Sequence, residues 1–179
     1  MDEDRRKHLL AVARDAIAAR LGLPPANPGR IPDPTREPAQ PMFVTLSKDG
    51  TLRGCIGHTD PSGTLEETVA ACAVSAATTD PRFPPLDPSE FPQVHLEISI
   101  LSPPRPITDP RSIQVGTHGV IVSQGNSRAV LLPQVAAGRG WTAEAFLAAA
   151  CHKAGLRPDA WLLGASVEVF TAEVFGEDD

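Results

Sequence analysis

The sequence has no tyrosine and only two tryptophans and six phenylalanines, so one common acid/base side chain is excluded and few rings are available to stack on nucleic-acid bases. Positive charge is also scarce. The 16 Lys and Arg stand against 22 Asp and Glu, a formal net charge of −6, which argues against a broad footprint on nucleic acid or an anionic membrane surface. A local basic pocket stays open. No apolar run reaches the ~18 residues needed to span a bilayer. The three cysteines include no C-x-x-C pair and no secretory leader precedes them, a pattern that fits a reducing compartment, so the expected location is cytoplasmic.

Proline, by contrast, is abundant. Its 19 copies cluster at 24–41, 81–92 and 103–110 and predict three extended, rigid connections. The chain of 179 residues, 41% hydrophobic and 21% charged, is long enough to bury a substantial core as one domain, or as two small lobes sharing one.

Apolar residues Leu9, Leu10, Ala13, Ala16, Ile17 and Leu21 recur at helical spacing, predicting a helix over 4–21 that ends at Gly22 and Pro24. The segment 24–41, with seven prolines, reads as a crossing without structure of its own. Residues 42–47 and 51–57 read as two strands joined through Lys48-Asp49-Gly50. Thr64 and Glu67 have capping-box spacing and open a helix ending near Thr79, with Leu65, Val69, Cys72, Ala73 and Ala76 on one face. The alternation of Val94, Leu96, Ile98 and Ile100 with His95, Glu97 and Ser99 gives a strand over 94–100. A second hairpin spans 120–123 and 128–132 across Gly125-Asn126. Thr142 caps a helix to Ala154 with a Schellman ending at Gly155 and Leu156, and a final strand covers about 165–175. Three helices around a mostly antiparallel sheet make an α+β fold.

The run Leu52-Arg53-Gly54-Cys55-Ile56-Gly57-His58 carries the most chemistry. On a strand Arg53 and Cys55 share a face, roughly 6.6 Å apart along the backbone, with Leu52, Gly54 and Ile56 on the other. Glycines on either side of Cys55 mark a bulge or a close backbone approach. Cys55 then has two readings, a small packing residue or a nucleophilic or redox thiol beside the Arg53 cation. Cys72 and Cys151 lie on apolar helical stripes and read as core. His58 completes a C-x-x-H spacing, but zinc needs three or four ligands and no second pair accompanies it, so no metal is expected. His118, flanked by Gly116 and Gly119, is a candidate general base; Glu97, on the face of β alternation that also carries His95, either faces solvent or lines a cleft. Arg82, in the Pro-rich loop, either clamps an anionic group or hydrogen-bonds loop carbonyls.

Six segments together resemble one family: Leu52-Arg53-Gly54-Cys55-Ile56-Gly57, Asp80-Pro81-Arg82-Phe83-Pro84-Pro85, Leu96-Glu97-Ile98-Ser99-Ile100-Leu101, Gly116-Thr117-His118-Gly119-Val120, Leu131-Leu132-Pro133-Gln134-Val135 and Cys151-His152-Lys153-Ala154-Gly155-Leu156. The chain is similar, over nearly its whole length and in the same order, to the AMMECR domain family, whose bacterial and archaeal members are called AmmeMemoRadiSam system protein A. The resemblance implies a two-lobed α+β fold in a single domain, with both termini in the larger lobe and the motif residues gathered toward the cleft between lobes. Position by position it carries over Arg53, Gly54, Cys55 and Gly57 from the signature, Arg82 and Phe83 from the loop, Glu97 from the strand and His118 from the Gly-His-Gly segment. His58 departs from the family, which more often has Thr there. The resemblance also implies a multi-component modification system with a Memo-like protein and a radical SAM protein as partners, and it assigns no reaction, cofactor or ligand.

Two functions follow as expectations. One is a cysteine-centred site, with Cys55, His118 and Glu97 catalytic and Arg53, Gly54, Gly57 and Arg82 holding the substrate. The other is a non-catalytic accessory protein that uses the LRGCIG strand as a platform for a ligand or partner. Nucleic-acid binding ranks last.

Overall fold

A computed structural model describes residues 1–28 and 36–177. Helix α1, Glu3–Arg20, begins where Asp2 accepts the Arg5 amide and ends before Gly22, whose φ of +72° suits a residue without a side chain. Strands β1, Met42–Lys48, and β2, Thr51–His58, form an antiparallel hairpin. Its two-residue turn has Asp49 at φ +52° and Gly50 at φ +72°, which is why Asp-Gly closes it. Helix α2, Leu65–Thr78, carries the expected capping box between Thr64 and Glu67. Strand β3, Val94–Leu101, pairs with the other edge of β1.

Further along lie β4, Arg105–Pro106, and β5, His118–Gln124, which forms a hairpin with β6, Ser127–Leu131. Helices α3, Pro133–Ala137, and α4, Ala143–Lys153, precede the long β7, Ser166–Gly176. At the end of α4 the Leu156 amide reaches the Cys151 carbonyl and the Gly155 amide reaches that of His152, the two bonds of a Schellman ending. The pairs β1–β2, β1–β3, β4–β7, β5–β6 and β5–β7 are antiparallel and the fold is α+β, as the sequence indicates. Two short elements escape the sequence reading. Pro133 starts α3, where its missing N–H is no loss at the first helical position. The two residues of β4 are too few to alternate.

The chain divides into two compact units, Met1–Ile100 with Glu173–Asp179, and Leu101–Ala172. In the first, β1 lies between β2 and β3, and its core gathers Leu9, Ile17, Met42, Val44, Leu46, Val69, Leu96 and Ile98. The C-terminal end of β7 is tied to β3 by the Glu177 amide, 3.2 Å from the Leu96 carbonyl. In the second, β7 pairs with β4 on one side and β5 on the other, and β5 with β6, over a core of Val120, Val122, Phe146, Leu147, Cys151 and Val169. Of the proline-rich 24–41 crossing, residues 29–35 lie outside the described residues. Its last part does pair: Pro38 bridges Thr64, and the Leu65 amide donates to the Glu37 carbonyl. Among the described residues no helix is long and apolar enough to cross a membrane.

Candidate functional site

The β1–β2 register slips once, because Leu46 faces Gly54 while the next residue, Ser47, faces Leu52. Arg53 is therefore the extra residue of a bulge. That slip takes Leu52 out of phase with Gly54 and Ile56. Leu52 is 40% exposed instead of sharing their inner face, a correction to simple alternation. Gly54 turns inward, where a Cβ would stand 2.2 Å from the Ala76 carbonyl of α2. Gly57 faces the Phe43 ring, 2.4 Å from a would-be Cβ. Both glycines thus admit close approaches within the chain's own fold.

Cys55 pairs with Thr45, and its backbone N–H and C=O point away from β1, off the free edge of the strand. At such non-hydrogen-bonded positions paired side chains come closest, and the Thr45 hydroxyl donates to Cys55 Sγ at 3.4 Å. Glu97 faces Thr45 from β3, so Cys55, Thr45 and Glu97 form one cross-strand row opposite the core face. All three are half-buried.

Asp80 and Arg82 cover the edge. The Asp80 carboxylate, in a residue 3% exposed, accepts the Cys55 amide at 2.8 Å and the Arg82 Nε and Nη2 at 3.0 and 2.7 Å. It also accepts the Arg82 amide at 3.1 Å, an Asx turn. Arg82 Nη2 donates in addition to the Cys55 carbonyl at 3.1 Å. The Arg82 side chain, foremost, and the Cys55 and Arg82 amides hold Asp80 ionised far below the usual carboxylate range despite its burial. In return Asp80 first, and Cys55 after it, favour the charged guanidinium. The cation beside Cys55 is thus Arg82, whose side chain is 54% exposed.

Arg53 is turned elsewhere. Its Nη2 donates to Glu90 at 2.9 Å and its Nη1 to the Pro84 carbonyl at 3.0 Å, fastening the Pro-rich loop to β2. Arg53 chiefly, with the Asp87 amide and Lys48, lowers the Glu90 carboxyl to about 2. Cys72 and Cys151 are buried in the two cores, and burial pushes the Cys72 thiol up to about 11 although the His58 amide reaches its sulfur. The His58 side chain itself is exposed at the end of β2.

His118 opens β5 in the second unit and is 8% exposed. The structure thus assembles Cys55, Arg82 and Glu97 in the first unit, gives Arg53, Gly54 and Gly57 packing partners there, and holds His118 in the second. Sequence reading missed Asp80, Thr45 and Glu90. An Asp two residues before Arg82 in a Pro-rich turn carried an Asx-turn signal for the first; cross-strand Thr45 and the Arg53 partner Glu90 had none.

The AMMECR1 family model matches residues 10–175. A protein of Methanothermobacter thermautotrophicus is 42% identical over 187 residues, covering 99% of this chain and 97% of its own. One of Methanosarcina barkeri is 46% identical over 143 residues, 77% of this chain and 71% of its own. Among solved structures, the uncharacterized protein PH0010 from Pyrococcus horikoshii is similar with a TM-score of 0.89 at 38% identity, over 99% of this chain and 94% of that one.

Proposed function

Since the chain belongs to the AMMECR1 family, we propose that it is a component of a modification system shared with a Memo-like protein and a radical SAM protein, and that Cys55 with Arg82 is its working site. One observation carries the site: a half-exposed guanidinium is locked by a buried carboxylate beside a half-buried thiol. A cation fixed in this way favours an anionic group on a ligand, and the thiol next to it offers a nucleophile or redox centre for that ligand. Glu97, two strands along the same row and separated from Cys55 by Thr45, supplies a carboxylate for proton handling on a bound ligand.

Use of the LRGCIG strand as an open platform has less support. Its outer edge at Cys55 is occupied by Asp80 and Arg82, and the space beside Gly54 and Gly57 is filled by Ala76 and Phe43.

The test is co-expression of the tagged chain with a Memo-like and a radical SAM protein, followed by co-purification. Wild type is expected to retain both partners, and Cys55→Ser and Arg82→Gln to lower their recovery or abolish any modified product detected by mass spectrometry. Failure of wild type to retain either partner overturns membership in such a system. Variants indistinguishable from wild type in both readouts overturn the assignment of the site.

A further inference from the structure

His118 is set by a five-residue loop that closes on itself. The Gln114 carbonyl accepts the Thr117 and His118 amides at 3.0 and 2.8 Å, and the Gln114 amide donates to His118 Nδ1 at 3.1 Å. Gly116, at φ +89°, lets the loop turn. The His118 backbone then enters β5 opposite Thr171 of β7, and the next residue, Gly119, gives its side-chain space to the Phe170 ring. The ring of His118 is thereby held from both ends of its own segment.

A backbone N–H is a donor only, so Nδ1 uses its lone pair as the acceptor. In the neutral imidazole the proton therefore sits on Nε2. Among the described residues no hydrogen bond to Nε2 is formed, yet none of their buried side-chain nitrogens or oxygens lacks a partner, so Nε2 keeps contact with solvent. A histidine nine-tenths buried thus presents a single N–H outward.

We infer that His118 serves as a neutral hydrogen-bond donor through Nε2, recognising an anionic oxygen of a carboxylate or phosphate ligand, and is not a general base. A base needs a bare lone pair aimed at the reacting proton. Here the one lone pair is already committed to Gln114. The assignment is independent of Cys55 and of any partner protein.

Long-range proton–nitrogen correlation spectra of the histidine-labelled full chain, recorded where the rings are neutral, read the tautomer directly. His118 is expected to carry its proton on Nε2; a proton on Nδ1 overturns the inference. In a second arm inorganic phosphate and then acetate are titrated against the same signals. At least one is expected to shift the His118 ring resonances saturably, with the two anions separating a phosphate from a carboxylate preference. His118→Gln, which keeps an N–H near the Nε2 position, is expected to retain anion affinity within about threefold, while His118→Phe loses about tenfold, as removal of one charge-assisted hydrogen bond implies. Absence of any saturable shift in wild type, or affinity unchanged in His118→Phe, overturns the role as a ligand donor.

Discussion

The carboxylate of Asp80 accepts the backbone N–H of Cys55 at 2.8 Å, so the free edge of β2 is closed by a side chain instead of by another strand. Edge strands leave such amides exposed to unwanted pairing, and here the same carboxylate holds Arg82, which in turn takes the Cys55 carbonyl. Two separate sequence motifs are thus parts of one clasp. Asp80→Ala removes the shared acceptor of the part-buried Cys55 amide and of the Arg82 guanidinium and is expected to cost about 2 kcal/mol, read as a fall in the urea midpoint with an unchanged slope. Asp80→Asn keeps one acceptor but no charge and is expected to fall between.

Acid should weaken the first unit in a defined window. Asp80 and Glu90 both have folded-state carboxyls held below their ordinary values, the first by Arg82 foremost and the second by Arg53 foremost. Groups depressed in this way add stability that is present above roughly pH 4 and is lost as pH falls toward the folded value, about 2 for Glu90. Thermal melts between pH 5 and pH 2 are expected to show a falling Tm. The Glu90→Gln variant starts lower and falls less steeply; an equal slope would refute the linkage to Glu90.

Gly54 is predicted to be intolerant of even one methyl group. Its added Cβ meets backbone, the Ala76 carbonyl at 2.2 Å, so either α2 or β2 must move. Gly54→Ala is expected to destabilise by about 2 kcal/mol or more in equilibrium denaturation. At Gly119 the obstacle is the Phe170 ring, a side chain, so Gly119→Ala combined with Phe170→Leu is expected to lose less than the sum of the two single changes.

Thiol labelling separates the three cysteines. Iodoacetamide at pH 8 is expected to modify Cys55 in the native protein while Cys72 and Cys151, fully buried, stay protected until the chain is unfolded. Peptide mass mapping before and after denaturant gives the answer. Early labelling of Cys72, whose thiol is pushed up to about 11 by burial, would contradict the packing of α2.

Glu177 is expected to act as a latch. Its carboxylate receives Arg14 and the Leu96 amide, while Arg14 also donates to the Phe91 and Val94 carbonyls and lies over the Phe91 ring at 4.8 Å. Glu177→Ala is expected to cost about 1 to 2 kcal/mol in thermal unfolding, and restoring charge with Asp, one methylene shorter, to recover only part of it.

Much of this molecule is written locally in its sequence. The Thr64–Glu67 capping box, the Asp49-Gly50 turn, the Schellman glycine at 155 and the alternation of β3 each depend on residues within a few positions of one another, so spacing alone identifies them. The LRGCIG segment was legible as a strand with a close approach at its glycines for the same reason. Its chemistry was not. Which cation lies beside Cys55 depends on a bulge at Arg53 and on a loop some 25 residues away, quantities set by register and packing, and they give Arg53 to Glu90 and bring Arg82 to the thiol edge. The role proposed for His118 likewise rests on one loop hydrogen bond at Nδ1. Composition and periodicity determined the elements, because those are short-range preferences; the tertiary structure alone decided which charged and polar groups meet, because hydrogen-bond partners are chosen by distance in space.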